Sequence, residues 1–367
     1  MKVGLDATPL LGRRTGIGRY VAELTGALAR TAPADGDRLA LTAFTLRGAG
    51  ALPAAAPDGV AVHARPVPAR LLRTLWSRAE WPPVGLLAGA ADVFHATNFV
   101  LPPTGRARGV LTVHDLGYLH HRDTVDAASA AYRELVPRGL RRAAEVLVPS
   151  AAVAAEVQET YGLTSDRVTV THLGVDPSWA SATPPDAATR TAHGLPPEYL
   201  LAVGTIEPRK GLPRLLAAYR ALLADRPDVP PLVLVGPAGW GDALDVTGLP
   251  DGAVVFPGFL GDGALQQVVA GARALVFPSR YEGFGLPPLE ALACGVPVLA
   301  ADLPVTREVL GDQARFVTAD DELVAGLAEA VDGTLPGDPA SRRAWAQRYT
   351  WARCAAATRQ AYARAVS

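Results

Sequence analysis

The decapeptide Tyr281-Glu282-Gly283-Phe284-Gly285-Leu286-Pro287-Pro288-Leu289-Glu290 gathers the groups in this chain best suited to chemistry. Two carboxylates, Glu282 and Glu290, flank a Gly-Phe-Gly turn that runs into an expected helix at the proline pair. Proline fits the first helical turn, where its missing N–H costs nothing. The amides from Phe284 to Leu286 therefore stand at the positive end of a helix dipole, a natural seat for a diphosphate. Glu282 precedes the helix and Glu290 lies about one turn inside it, so both can address one ligand from different sides. Anion donors beside two hydroxyl-reading carboxylates suit a nucleotide sugar.

A second set of groups occupies Gly204-Thr205-Ile206-Glu207-Pro208-Arg209-Lys210-Gly211. Arg209 and Lys210 at a strand's exit can neutralise a leaving diphosphate, where developing negative charge most needs stabilisation. As an exposed basic pair at a helix start they would oppose the dipole, which favours a functional placement. Of 35 basic residues only Lys2 and Lys210 are lysine, so lysine at 210 points to a need for a compact point charge. His114-Asp115, at another strand's end, have the types of a general base and its orienting partner. Nothing in the sequence places the two in contact.

These groups need elements to carry them. Short apolar runs over Val3–Asp6, Leu39–Phe44, Val60–Ala64, Val93–Ala96, Val110–Val113, Val146–Pro149 and Val168–Leu173 read as buried parallel strands. Gly16–Arg30 reads as a helix with Ile17, Tyr20, Val21, Leu24 and Leu28 on one face, and Ser150 as the N-cap of a helix ending near Tyr161. A Pro-, Ala- and Thr-rich stretch over Pro177–Pro197 reads as a linker. The pattern then restarts with strands over Tyr199–Gly204, Leu232–Gly236, Ala253–Phe256, Ala274–Pro278 and Val296–Ala301. Helices are expected near Leu212–Leu223, Ala264–Ala272 and Pro288–Cys294, and again from Trp345 to Ala365. Alternation of this kind predicts an α/β fold with a doubly wound parallel sheet in each half, ligands lying beyond the carboxyl ends of strands.

Composition excludes several classes. At 367 residues two domains are expected, and a net charge of −1 argues against a broad nucleic-acid surface, so no nucleic-acid partner is expected. Cys294 and Cys354 supply neither a disulfide framework nor a metal-ligand set, and no apolar run is long enough to span a bilayer. Asp35-Gly36-Asp37 has metal-binding spacing but sits in a turn, so no metal is predicted. Gly16-Ile17-Gly18-Arg19-Tyr20-Val21 misses the last glycine of a dinucleotide fingerprint, and no acidic residue closes the second strand near Phe44, against an NAD-dependent dehydrogenase. In Arg65–Trp81, Leu71, Leu72, Leu75 and Trp76 suggest one apolar stripe beside Arg70, Arg73 and Arg78. It is read as a core-packing helix, with contact to an anionic bilayer as the alternative. A cytoplasmic location is expected, with peripheral membrane contact left open.

Taken together, Gly204–Gly211, the Glu282–Glu290 pair around Gly283-Phe284-Gly285-Leu286, and Ala293-Cys294-Gly295-Val296-Pro297-Val298 resemble the retaining glycosyltransferases of family four. Asp6-Ala7, Thr15-Gly16-Ile17-Gly18-Arg19-Tyr20, Phe94-His95-Ala96-Thr97-Asn98 and Thr112-Val113-His114-Asp115-Leu116 resemble its mannosyltransferase-like branch. The resemblance implies the GT-B architecture, two Rossmann-like domains facing across a cleft. It divides the chain into an acceptor-binding domain over 1–185, a nucleotide-sugar domain over 186–347 and a C-terminal helix over 348–367 returning to the first domain.

The resemblance also implies roles. Arg209 and Lys210 would hold the diphosphate at Gly204 and Thr205. Glu282, with Gly283, Phe284, Gly285 and Leu286, would address the donor sugar and nearby phosphate, and Glu290 would accept from ribose hydroxyls. Gly16 would let backbone approach the donor phosphates or acceptor, and His114 would position the transferred sugar, with Asn98 and Asp115 on the acceptor side. Many members carry arginine where this chain has Thr205, so a third phosphate cation must come from elsewhere. The implied reaction moves a hexose, with configuration retained and without metal or other cofactor, from a GDP- or UDP-linked donor to a glycan, lipid-linked or natural-product acceptor. GDP-mannose is the first donor expected. The alternatives are a UDP-sugar donor, a sugar-nucleotide epimerase of the same architecture, and a non-catalytic nucleotide-sugar binder.

Overall fold

The computed structural model describes residues 1–12, 16–46, 48–63, 65–120, 131–241 and 243–367. Thr15 of the N-terminal motif and the side chain of Arg70 lie outside the described residues. The chain forms two compact units, one of Met1–Gly174 with Thr350–Ser367 and the other of Val175–Tyr349.

The first unit is built on seven strands: β1 (Lys2–Asp6), β2 (Arg38–Thr42), β3 (Ala61–His63), β4 (Val93–Ala96), β5 (Arg108–Thr112), β6 (Ala143–Val148) and β7 (Val168–Val170). They form one parallel sheet in the order β3-β2-β1-β4-β5-β6-β7. The second unit repeats the plan with β8 (Leu200–Val203), β9 (Leu232–Val235), β10 (Val254–Gly258), β11 (Ala274–Phe277), β12 (Val298–Ala301) and β13 (Ala314–Val317). Their order is β10-β9-β8-β11-β12-β13, again parallel throughout. β4, β9, β11 and β12 are buried at every position, as helices on both faces of a parallel sheet require. In both sheets the strand order reverses once, between β1 and β4 and between β8 and β11. Loops diverge at such a reversal and open a crevice beyond the carboxyl ends of the strands.

Local sequence explains several of the helices that follow these strands. Ser150 Oγ accepts from Val153 N at 3.2 Å and starts Ala151–Tyr161, which Gly162 ends in the left-handed region. Gly16–Asp35 buries Tyr20, Val21, Leu24 and Leu28 against the first sheet, four of the five residues expected on that face. Leu286–Cys294 starts two residues earlier than the proline pair suggested, because Gly285, at φ +92°, supplies the turn that Leu286 continues into helix.

Several expectations need correction. The segment Pro177–Pro197 is no free linker: it holds a 3₁₀ turn, Pro177–Ser181, and a helix, Ala187–His193, both within the second unit. Asp176 and Asp186 cap them, Trp179 is buried, and Thr189 Oγ1 bonds Gln267 Oε1 at 2.8 Å. Trp345 does not start the final helix but lies in Pro339–Ala346, where its indole donates to Val309 O at 2.8 Å. The final helix is Trp351–Val366, opened by the Thr350 cap. It packs on β4 to β7 and on Gly16–Asp35. Polar contacts fasten it there, among them Tyr362 Oη with His95 Nδ1 at 2.7 Å, Arg364 with Glu145 at 2.8 Å, Arg359 with Asp37 at 2.8 Å and Arg108 Nε donating to Ala365 O at 2.8 Å. The stripe on Ala69–Arg78 also splits: Leu72 and Trp76 are buried and Trp76 Nε1 donates to Pro82 O at 3.0 Å, whereas Leu71 is exposed.

Candidate functional site

The loops leaving β8 and β11 meet at the strand-order reversal of the second sheet. β8 passes through Gly204, at φ +152°, into a 3₁₀ turn over Pro208–Lys210. A Cβ at Gly204 would lie 3.1 Å from Lys210 Cε, so glycine there makes room for the lysine stem. Gly211, at φ +66°, presses against the chain after β11, and a Cβ would come within 2.2 Å of Pro278 O. Arg280 N donates to Arg209 O at 2.9 Å. Backbone contacts thus lock together the two loops that carry the charged side chains.

Those side chains form a compact quartet. Arg209 Nη1 donates to Glu282 Oε2 at 3.0 Å and to Tyr281 O at 3.1 Å, while its Nη2 pairs with Glu207 Oε1 at 2.8 Å. Lys210 Nζ donates to Glu282 Oε1 at 2.6 Å and stands 5.5 Å from the centre of the Phe277 ring. Burial of Glu282 would raise its pKa, but Lys210 and then Arg209 outweigh burial and hold it at about 2. The carboxylate is therefore ionised at neutral pH, and two cations balance two anions. Gly204, Ile206, Lys210, Phe277, Pro278 and Ser279 line a recess beside the quartet.

The helix Leu286–Cys294 begins at the same end of the sheet. Gly285 and Leu286 open it, Phe284 is buried with its ring edge toward Tyr349 at 5.9 Å, and Gly283 follows Glu282 directly. Glu290 sits on this helix at 2 % exposure, and it does not line the recess. The structure thus brings Arg209, Lys210 and Glu282 into contact, places Gly204 and Thr205 on the adjoining loop, and carries Glu290 on the helix that opens beside them. Cys294, on the last turn, is no nucleophile: burial and then the Glu290 charge push its thiol up to about 12.

In the first unit the expected residues gather at the ends of β4 and β5. His114 Nε2 donates to Thr97 O at 2.8 Å, and because a carbonyl only accepts, Nε2 carries the proton and Nδ1 is the acceptor. The ring stands edge-on to Tyr20 at 4.9 Å and to Phe99 at 5.5 Å. Burial pushes the His114 pKa down, with Thr97 O and Asp115 opposing, so the imidazole is neutral at pH 7. Asp115 accepts from Gly117 N at 2.9 Å and caps its own turn. The Oδ1 of Asn98 is buried and has no hydrogen-bond partner among the described residues, and the neighbouring Phe99 is held at φ +58°. At Gly16 an added Cβ meets none of the described residues within 4 Å, so their packing does not require glycine there.

Two groups escaped the sequence reading. Glu207 lies inside the Gly204–Gly211 motif, two residues before Arg209, and that spacing was the available signal for the pair they form. His95, inside Phe94–Asn98, is wholly buried between Tyr362 Oη and Thr112 Oγ1, each at 2.7 Å, and Tyr20 Oη joins Thr112 Oγ1 at 3.0 Å. No feature of the sequence signalled that network, because its members come from four separated elements. Among the described residues no group of three or more His, Cys, Asp or Glu is arranged to hold a metal ion.

The chain matches the glycosyl transferases group 1 family over residues 187–349 and the glycosyltransferase family 4 model over residues 14–179. It is 31 % identical over 287 residues to O-antigen chain mannosyltransferase B of Escherichia coli, covering 74 % of each chain. The chain belongs to the family four glycosyltransferases. It is also 31 % identical over 310 residues to a glycogen synthase of Mycobacterium tuberculosis, covering 79 % of this chain and 71 % of that one. Among solved structures it resembles sucrose-phosphate synthase from Thermosynechococcus elongatus, with a TM-score of 0.71 at 20 % identity, covering 99 % and 98 % of the two chains. It also resembles WaaG, a glycosyltransferase involved in lipopolysaccharide biosynthesis, with a TM-score of 0.65 at 18 % identity, covering 100 % and 97 %. These likenesses establish GT-B architecture, and membership of the family favours transfer over the epimerase alternative.

Proposed function

We propose that this glycosyltransferase moves a hexose from a nucleoside diphosphate to an acceptor hydroxyl with retention of anomeric configuration and without a metal ion. The observation that carries the proposal is the Arg209–Glu282–Lys210 contact at the β8/β11 reversal, beside the amides that open Leu286–Cys294. Lys210 and Arg209 would stabilise the charge that develops on the departing diphosphate, and Glu282 would hold the sugar through its hydroxyls. The bond from the anomeric carbon to phosphate breaks as the acceptor oxygen attacks the same face, and a phosphate oxygen of the leaving group takes the acceptor proton. His114 orients a sugar hydroxyl through Nδ1 and abstracts no proton, and Asn98 and Asp115 are assigned to the acceptor. Glu290 accepts from the ribose.

Mannose is the first sugar proposed, on the strength of the mannosyltransferase relative, which makes GDP-mannose the first donor and UDP-sugars the alternative. A glycan or a lipid-linked acceptor is proposed with it. The exposed Leu71, Trp81 and Leu86 of the first unit support peripheral contact with a cytoplasmic membrane face; among the described residues no helix is long and apolar enough to cross a membrane. The test is a panel of GDP- and UDP-sugars with glycan and lipid-linked acceptors in chelator, the product anomer being read by NMR. An α-linked product from an α-linked donor supports the proposal. An inverted product, or transfer that needs added metal, contradicts it.

A further inference from the structure

We propose that Arg280 is the third cation of the diphosphate site, filling the role left open by Thr205; the inference rests on the donor reading above. Its ground is charge. Glu207, Arg209, Glu282 and Lys210 balance one another through contacts of 2.6 to 3.0 Å. Glu282 stays ionised far below neutral pH, so the quartet presents no net positive charge to an arriving anion. Burial deepens the problem: Glu207 is 6 % and Glu282 9 % exposed, so solvent does little to screen them. A diphosphate seated here meets two cations already committed and two nearby carboxylates. Helix amides at Gly285 and Leu286 supply only partial charge. A further full positive charge is needed, and position 205, on the loop from β8, carries a hydroxyl.

Arg280 answers that need from the facing loop. It follows Ser279, which lines the recess, and its backbone N–H bonds the Arg209 carbonyl at 2.9 Å. The two arginines therefore spring from adjoining backbone on opposite sides of the β8/β11 reversal. Arg280 is exposed and, among the described residues, makes no ion pair, unlike Arg209 and Lys210. A guanidinium is always charged and binds phosphate through two parallel N–H bonds, so it needs no rearrangement of the quartet to contribute. Its exposed position also suits capture of the donor before the ion pairs rearrange.

The experiment is calorimetric titration of the full chain with GDP, UDP and the matching nucleosides. Arg280→Ala is expected to weaken the diphosphate that the wild type prefers by about tenfold, the size of one charge-assisted contact. Binding of the nucleoside should not change, and Arg280→Lys should keep most of the diphosphate affinity. Thr205→Arg added to Arg280→Ala should recover binding, which a packing role for Arg280 would not produce. If the wild type binds diphosphate and Arg280→Ala binds it equally well, the inference is overturned while the proposed function stands. Equal losses for nucleoside and diphosphate, or loss of binding in both Arg280→Lys and the double variant, overturn it as well. A wild type that binds no nucleoside diphosphate removes the proposed function and this inference together.

Discussion

Replacing Glu282 with Gln separates the two jobs assigned to its carboxylate. In the folded chain Glu282 is held at about 2 instead of its ordinary 4.5, by Lys210 and Arg209 acting against burial. A depression of that size corresponds to about 3 kcal/mol of stability at pH 7. The side chain is only 8 % exposed, so screening by solvent removes little of it. A folded-state pKa below the unfolded value means the stabilisation is fully present above 4.5 and fades as pH falls toward 2. Glu282→Gln is therefore expected to lower the melting temperature at pH 7 by roughly 6–12 °C. The gap between wild type and variant should shrink by about 1 kcal/mol between pH 6 and pH 4. The same change leaves the remaining trio with net positive charge, so GDP or UDP should bind the variant at least as tightly while transfer collapses. Urea unfolding across that pH range and calorimetric titration with GDP and UDP supply the readings. Equal stability of the two proteins at pH 7, or a gap that ignores pH, would refute the electrostatic argument; weaker diphosphate binding in the variant would refute the charge count.

Other outcomes follow from the same contacts. Glu290→Ala is expected to weaken nucleoside binding by roughly tenfold, as for one hydrogen bond to a charged group, while affinity for inorganic pyrophosphate stays level in competition assays. Gly16→Ala should melt within about 1 °C of wild type, since its Cβ meets none of the described residues within 4 Å; a marked loss of transfer would then report a ligand at that backbone, and unchanged kinetics would remove Gly16 from the site. His95 is buried and held down to about 3, first by burial and then by His114. The unfolded chain takes up that proton below about 6.5 and the folded chain does not, so stability should fall on acidification by up to about 1.4 kcal/mol per pH unit. Unfolding of His95→Asn between pH 7 and pH 5 should lack that part of the slope; an identical slope would contradict the assignment.

Much of the fold was readable because buried parallel strands leave a plain trace. β4 was matched end to end by Val93–Ala96, and Ser150 marked its helix to the residue. β13 and its neighbours Pro304–Leu310 and Asp320–Asp332 were not found: Arg315 interrupts a four-residue strand, which leaves too short an apolar signal. Proline-rich composition made 177–197 look like a linker because the burial of Trp179 and the Thr189–Gln267 bond depend on tertiary contacts, whereas the Asp186 cap is local, accepting from Thr189 N three residues on. At the site, residue types identified Arg209, Lys210 and Glu282, but their mutual neutralisation was invisible. It depends on Glu207, and on Gly211 pressing against Pro278 to bring two loops together from about 70 residues apart. His114 and Asp115 were adjacent in sequence, yet each found a different backbone partner, Thr97 O and Gly117 N.

The most direct measurement is a crystal structure of the chain with GDP or UDP bound. Phosphate oxygens within hydrogen-bond reach of Lys210 Nζ and the amides opening Leu286–Cys294, with the ribose at Glu290, are what this reading requires. A diphosphate seated elsewhere on the chain, with the Arg209–Glu282–Lys210 contacts undisturbed, would contradict it.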